Sequence, residues 1–467
     1  MSKEKQLIKN TAIYAFGNFG SKLLTFFLLP IYSSYLTQAE FGYFDLIINT
    51  SALVIPIITF QIMDGIYRFI LVEEIEEKRN KYISNGIFIA IRNTIIFTIL
   101  YIITIKILKI DDYISIYLYL ITTIFYNLWA QISRGLKKNL EYAIAGIIIT
   151  IVTLTLNILF IIKFDFKVNG LVISYIIANI IAVIFIELKV GILKLINFKL
   201  IDKKTINKLS KYSVPLIPNT MSWWMMNAAD RYMILYFLNA SVNGLYAMAN
   251  KFSSIIVIIN SFFSLAWQES AILEYEKKDR DDYYTRMFNI YMKIQLAGTI
   301  VLIPFTKIVF SLLIRGEFVE GYKLVPILYS ASVFSAFSVF YGTGYLSAND
   351  TKGSFYTTLI GAILNILINI IAIPIVGVYG AGFSTLISYL IVWIIRIKQT
   401  KKYFKIEINK KSLFQLITIC VVFSLLYYIN NLLLQVILLF IGSIIFMIYN
   451  KDLFLKILNK IKNIIVR

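Results

Sequence analysis

Long apolar runs separated by short polar turns occupy almost the whole chain. They lie near residues 11–35, 41–70, 82–105, 113–133, 140–162 and 168–188, then 213–237, 243–268, 286–313, 322–346, 354–376 and 379–397, and finally 412–430 and 432–450. Each approaches or exceeds the ~20 residues that carry a helix across about 30 Å of hydrocarbon. Helices satisfy their own backbone hydrogen bonds, which lipid cannot do for them. The pattern therefore predicts an all-α integral membrane protein with about fourteen transmembrane helices. The opening MSKEKQLIKNTAIYAFGNFG lacks a small-residue cleavage site after a short apolar core, so it reads as the start of the first span rather than a removed signal.

The turns alternate in charge. Every second one is basic: EEKRNKY (76–82), RGLKKN (134–139), KLINFKLIDKKTINKLSK (194–211), RIKQTKKYFKIEINKK (396–411) and the tail KDLFLKILNKIKNIIVR (451–467). The turns between them, such as LTQAE (36–40) and FLNASVN (237–243), carry few or no Lys or Arg. Basic turns stay on the cytoplasmic side, which predicts a multi-pass protein with both termini cytoplasmic. The net charge of +20 is then an orientation and anionic-lipid signal. It is scattered over short loops, so nucleic acid is not an expected partner.

Composition removes several chemistries. The chain has no histidine and a single cysteine, Cys420. Imidazole proton relays, Ser-His-Asp hydrolysis, histidine-ligated metals, cysteine clusters and intramolecular disulfides are excluded. No G-x-x-x-x-G-K-[ST] loop is present, so nucleotide hydrolysis is not expected. Neither a metal nor a cofactor is called for, and the expectation is a protein that is not an enzyme.

A weak internal repeat runs through the chain. Sliding it by 202 residues lays L36-x5-G42 on L238-x5-G244, and sliding it by 210 lays Leu136 and Asn139 on Leu346 and Asn349, and V168-x-G170-x-x-x-S174 on V378-x-G380-x-x-x-S384. The longer loop EYEKKDRDDYY (274–284) accounts for the change of offset. Two parallel six-span units follow, each starting and ending on the same side. The expected domains are an N-terminal six-helix bundle (1–190), a basic cytoplasmic linker (191–211), a second six-helix bundle (212–400), and two extra helices with a basic tail (401–467). All seven prolines (Pro30, Pro56, Pro215, Pro218, Pro304, Pro326 and Pro374) fall inside predicted spans, where they are expected to bend helices.

Charges inside the spans are the candidate chemistry. Lys22, Arg92, Asp230, Arg231, Lys251 and Lys293 interrupt apolar runs, and Asp64 and Arg68 sit four apart in the second. A charge at the bilayer centre costs roughly 2.5–3.5 kcal/mol on insertion scales, so something must offset it. Asp64 and Arg68 are placed to pair along one helix face. Lys307 is expected to snorkel to an interface, as is Lys293 if it does not face the interior. Lys22, Arg92, Arg231 and Lys251 have few acidic partners at comparable depth, which points to a water-filled cavity and an anionic ligand. Arg offers a fork of donors and Lys a point charge, a combination suited to phosphate or pyrophosphate. Aromatic residues near these charges, Trp223, Trp224, Tyr232 and Tyr246 among them, suit sugar rings or an interfacial belt.

The stretches K9-N-T-A-I-Y-A-F-G-N-F-G-S-K-L-L-T, L29-P-I-Y, L36-T-Q-A-E-F-G42, P215-L-I-P and D230-R-Y-M-I-L-Y-F-L-N-A-S-V-N-G-L-Y-A-M-A-N-K251 resemble those of the polysaccharide repeat-unit flippases of O-antigen and capsule type. Their superfamily also holds the multidrug and toxin extruders and the lipid II flippases. The resemblance implies a MATE-like fold: two six-helix bundles around a central cavity, plus two C-terminal helices. It further implies translocation of a polyprenyl-pyrophosphate-linked oligosaccharide from the cytoplasmic to the outer leaflet of a bacterial cytoplasmic membrane, by a monomer working beside glycosyltransferases, a polymerase and membrane lipids. Under it, Lys22, Arg92, Arg231, Lys251 and Lys293 are the cavity cations, and Asp64, Arg68 and Asp230 pair with them or couple an ion. A cation-coupled drug or metabolite exporter is the nearest alternative, although its cavity should be acidic. A membrane glycosyltransferase or polymerase would need a sizeable outer loop with carboxylates, and Asp111-Asp112 reads as a solvated turn.

Overall fold

A computed structural model describes Phe26 and residues 28–108, 113–348 and 350–451. Lys22, the motif starting at Lys9, Asp111-Asp112, Asn349 and the basic tail beyond Lys451 lie outside the described residues. The chain divides into two compact units, Met1–Trp224 and Met225–Arg467. Among the described residues twelve helical segments are long and apolar enough to cross a membrane. The other two expected spans are the first, largely outside those residues, and 213–237, whose helix is too polar to qualify by hydropathy alone.

Unit 1 contains α1 (Leu29–Tyr35), α2 (Gln38–Thr59), α3 (Ile62–Val72), α4 (Glu76–Leu108), α5 (Tyr113–Gly135), α6 (Asn139–Ile158), α7 (Lys167–Val190) and α8 (Lys203–Ser213). The turn L36-T-Q-A-E proves to be a capping box: Glu40 N donates to Thr37 Oγ1 at 3.2 Å, and Thr37 N donates to Glu40 Oε2 at 2.8 Å. The single span expected over 41–70 is broken. Phe60 and Gln61 take left-handed φ values of 54° and 53°. Gln61 N donates to Pro56 O at 2.9 Å and Phe60 N to Ile57 O at 3.3 Å, the paired bonds of a Schellman ending. The core of unit 1 is aliphatic, with Ile62, Ile66, Ile83, Leu128, Ile132, Ile186 and Leu209 fully buried.

The basic segment after α7 is folded onto unit 1 and is not a free linker. The buried Asn85 donates to Leu200 O at 2.9 Å and accepts from Asp202 N at 3.0 Å. Asp202 caps α8 through Thr205 N at 2.9 Å and pairs with Lys81 at 3.0 Å. The bond from the Thr205 hydroxyl, followed by the Thr205 amide and Lys81, holds the Asp202 carboxyl well below the usual carboxylate range.

Unit 2 holds most of α9 (Ile217–Phe237), then α10 (Ala240–Glu274), α11 (Arg280–Leu313), α12 (Val325–Ser347), α13 (Thr351–Val376), α14 (Val378–Thr400), α15 (Lys410–Tyr427) and α16 (Leu432–Tyr449). Asn239, 202 residues after Thr37, caps α10 by accepting from Val242 N at 2.9 Å. Helices α12, α13 and α14 begin 211 to 212 residues after α5, α6 and α7, so the weak sequence repeat coincides with helix order. The prolines divide into two groups. Pro30, Pro215, Pro218 and Pro326 stand in first turns, where no backbone bond is lost, and only Pro56, Pro304 and Pro374 lie inside helices.

Candidate functional site

The stretch from Asp230 to Lys251 forms the last turns of α9 and the first turns of α10. The Asn239 cap turns the chain back, so that Tyr246 comes against Asp230. Arg231 N and Nη1 donate to Asp230 Oδ1 at 3.0 and 3.2 Å, and Nη1 also donates to Asn227 O at 2.7 Å. The Tyr246 hydroxyl donates to Asp230 Oδ2. The Arg231 guanidinium also lies 5.8 Å from the centroid of the Tyr246 ring. Asp230 is 2% exposed and Arg231 8%, so this is a nearly dry ion pair with an aromatic wall. Tyr389 on α14 completes it, donating to Asn227 Oδ1 at 2.7 Å.

Arg231 therefore differs from the unpaired cation that its surroundings in sequence suggest. Its neighbour Asp230 neutralises it, as buried charges require. Lys251 is half-buried on α10, where its carbonyl accepts from Ser254 Oγ at 2.6 Å. Lys293 on α11 is also half-buried, and its amine makes no hydrogen bond or ion pair among the described residues. In unit 1, Arg92 is exposed on α4 and its guanidinium donates twice to Asn93 Oδ1, at 3.1 and 3.0 Å.

Asp64 and Arg68 are not brought together. The helix break at Gln61 supplies Asp64 with a different partner, Gln61 Nε2 at 2.7 Å, while Arg68 lies 5.3 Å from the centroid of the Tyr212 ring. Lys307 turns its amine toward the 316–324 segment. It is 7% exposed, with its ammonium 3.1 Å from the centroid of the Tyr322 ring and 5.5 Å from that of Tyr427. Two aromatic faces thus hold the ammonium. Arg396, which opens a basic turn in the sequence, is instead buried at the end of α14. The available signal was a set of small and hydroxyl residues, Ser338, Gly342, Thr357 and Thr358, in otherwise apolar helices. No group of three or more metal-binding side chains occurs among the described residues.

The model of the family described as polysaccharide biosynthesis protein matches residues 7–268, more than half of the chain. The chain belongs to that family. An uncharacterized membrane protein of Methanocaldococcus jannaschii is 24% identical over 266 residues, covering 55% of this chain and 61% of that protein. The chain thus spans less than two thirds of that curated relative. Among solved structures, the lipid II flippase MurJ in an inward closed conformation superposes with a TM-score of 0.72 at 13% identity, covering 96% of this chain and 100% of that one. An inward-facing MATE family multidrug resistance transporter of the MOP superfamily gives 0.68 at 13% identity, covering 82% and 94%. The fold of this family member is therefore like that of MurJ and the MATE transporters, in a multi-pass membrane protein.

Proposed function

We propose that the protein is a flippase that moves a polyprenyl-pyrophosphate-linked oligosaccharide from the cytoplasmic to the outer leaflet by alternating access. The reading places it in a bacterial cytoplasmic membrane with both termini inside, acting as a monomer that receives its cargo from glycosyltransferases and delivers it to a polymerase. The observation that carries it is a buried arginine–aspartate–tyrosine network on the membrane helices of a polysaccharide biosynthesis protein.

A transporter of anionic cargo needs a cation that is tolerable in the membrane when the site is empty. An unpaired charge at that depth costs roughly 2.5–3.5 kcal/mol or more. Asp230 and Tyr246 offset that cost for Arg231, and a pyrophosphate would compete for the same guanidinium donors. Asp230 is then the internal stand-in for the substrate, and Lys22, Arg92, Lys251 and Lys293 serve as further cation sites along the route. The nearest competing reading, a drug exporter, gives this pair no anionic ligand to bind.

The test is crossing of a fluorescent polyprenyl-pyrophosphate oligosaccharide in proteoliposomes with the wild type, Arg231→Ala, Arg231→Lys and empty vesicles. Crossing should depend on protein, fall by tenfold or more in Arg231→Ala, equivalent to about 1.4 kcal/mol, and recover only partly in Arg231→Lys, which lacks the fork. Wild-type flux in folded Arg231→Ala removes Arg231 from the site. No crossing under any gradient, together with export of a small cationic dye, makes the protein a drug exporter.

A further inference from the structure

A second buried arginine in unit 2 has no carboxylate partner among the described residues. Arg396 on α14 is 1% exposed, and its partners are neutral oxygens. Nε donates to Thr357 Oγ1 at 3.0 Å, Nη1 to Ser338 O at 2.6 Å, and Nη2 to Thr358 Oγ1 at 2.9 Å and Ser354 O at 3.3 Å. Gly342 makes room for the group, since a Cβ there would stand 2.6 Å from Nη1. One side chain thus ties α14 to both α12 and α13.

Holding three helices together does not require a cation. At the matching positions unit 1 carries hydrocarbon, beside a neutral-donor bond from Trp129 Nε1 on α5 to Glu187 Oε2 on α7 at 2.9 Å: 210 residues earlier, Arg396 corresponds to Ile186, Ser338 to Leu128, Gly342 to Ile132, and Thr357 and Thr358 to Ile147 and Ile148. Ile186, Leu128 and Ile132 are fully buried. Apolar replacement of buried ionic groups is often neutral or stabilising, so a charge kept in hydrocarbon calls for a role beyond adhesion.

The hydrogen bonds indicate that role. Ser338, whose carbonyl takes Arg396 Nη1, donates its hydroxyl to Tyr389 O at 3.1 Å. Tyr389 sits two turns before Arg396 on α14, and its hydroxyl holds Asn227 Oδ1 at 2.7 Å. The Asn227 carbonyl in turn holds Arg231 Nη1 at 2.7 Å. We infer that Arg396 is a positioning residue for Arg231, setting the rotation and height of α14 so that Tyr389 and Asn227 present the Arg231 guanidinium. The inference rests on Arg231 as the pyrophosphate-binding group.

The experiment measures binding of a polyprenyl pyrophosphate to the full chain in nanodiscs. The central variant carries the unit 1 residues: Arg396→Ile with Ser338→Leu, Thr357→Ile and Thr358→Ile. It should melt within a few degrees of the wild type yet bind about tenfold more weakly, a coupling of ordinary size for a connected network. Tyr389→Phe, which deletes one oxygen of the chain, should weaken binding in the same direction. In an Arg231→Ala background neither change should weaken binding further, whereas a merely structural role would leave the effects multiplicative. Loss of binding in Arg231→Ala with wild-type affinity in Tyr389→Phe, or multiplying effects, overturns the positioning role alone. Wild-type affinity in Arg231→Ala overturns the functional reading, and the role of Arg396 falls with it.

Discussion

Where unit 1 seals Ile186 among Leu128 and Ile132, unit 2 places Arg396 among hydroxyls, and the same contrast continues along the neighbouring helix pairs. In unit 1, Ser174 Oγ returns to Gly170 O at 2.7 Å and Thr155 Oγ1 to Ile151 O at 2.9 Å, so α6 and α7 keep these polar groups to themselves. In unit 2, Ser384, the counterpart of Ser174, donates across to Asn369 Oδ1 at 2.8 Å. Asn369 Nδ2 reaches Asn365 Oδ1 at 3.0 Å, and Asn365 Nδ2 reaches Thr385 Oγ1 at 3.3 Å. Lipid supplies no hydrophobic drive between helices, so membrane helices associate by close packing or by hydrogen bonds worth about 0.6 kcal/mol each on average. The α6–α7 pair relies more on packing and the α13–α14 pair more on directional bonds, although unit 1 does bond α7 to α5 through Asn179 and Thr123 at 3.0 Å. A packed apolar seam tolerates small rotations, whereas a polar ladder sets one register, as a helix carrying the Tyr389 contact to Asn227 requires.

The sharpest way to break this contrast is to exchange its central residue. Ile186→Arg puts a guanidinium among Leu128, Ile132 and other hydrocarbon with no oxygen cage to receive it. An uncompensated buried charge costs on the order of 3–5 kcal/mol, enough to prevent accumulation of a folded membrane protein. The check is a size-exclusion profile and melting curve in detergent. A monodisperse peak with wild-type melting would show that unit 1 has room and partners for a cation, and the contrast would collapse.

A smaller effect separates the two glycines of the repeat. A Cβ at Gly380 would stand 2.5 Å from Ala372 C and 2.6 Å from Ile373 N, both backbone atoms of α13. At Gly170 it would meet Phe160 Cβ at 2.9 Å, in a π-helical turn over Leu159–Lys163. Backbone cannot step aside as easily as one residue of an already widened turn. Gly380→Ala should therefore cost about 2–3 kcal/mol and Gly170→Ala about 1 kcal/mol, within the range for overpacked sites. Equal melting points for the two variants would refute this ranking.

The elements that sequence alone conveyed are those governed by local rules. Spans and the matched polar turns follow from hydropathy and chain reversal, while the caps at Thr37 and Asn239 that shape those turns emerged with the structure. The break at Phe60-Gln61 was hidden because its left-handed residues are not glycine and apolar residues continue on both sides of it. Site residues were legible as types rather than as partners. Asp230 and Arg231 were evident as charges in a span, but their closure by Tyr246 depends on a helix reversal, and Asp64 found Gln61 because of that same hidden break. Arg396 was misplaced for a physical reason: basic turns and the buried ends of helices look alike when the cage lies some 40 to 60 residues upstream.

The smallest expected effect concerns the turn that starts α13, where the units differ again. Asp350 caps α13 through Gly353 N at 3.0 Å, accepts from the Tyr403 hydroxyl at 2.7 Å and lies 3.8 Å from the Lys402 amine. The matching helix α6 starts at Lys138 with no side-chain cap. The Tyr403 bond first, then the Gly353 amide and Lys402, hold the Asp350 carboxyl below its ordinary value. Because the folded state binds the proton less readily than the unfolded chain, this contribution is fully present above the unfolded value of about 3.9 and is lost as pH falls through the folded value. Melting points followed from pH 6 down to about pH 2 should fall more steeply below about pH 4 for the wild type than for Asp350→Asn, with the two curves converging only at the acid end. Parallel curves would mean that the Asp350 cap adds no proton-linked stability, leaving the ladder and the Arg396 cage as the polar features that set unit 2 apart from unit 1.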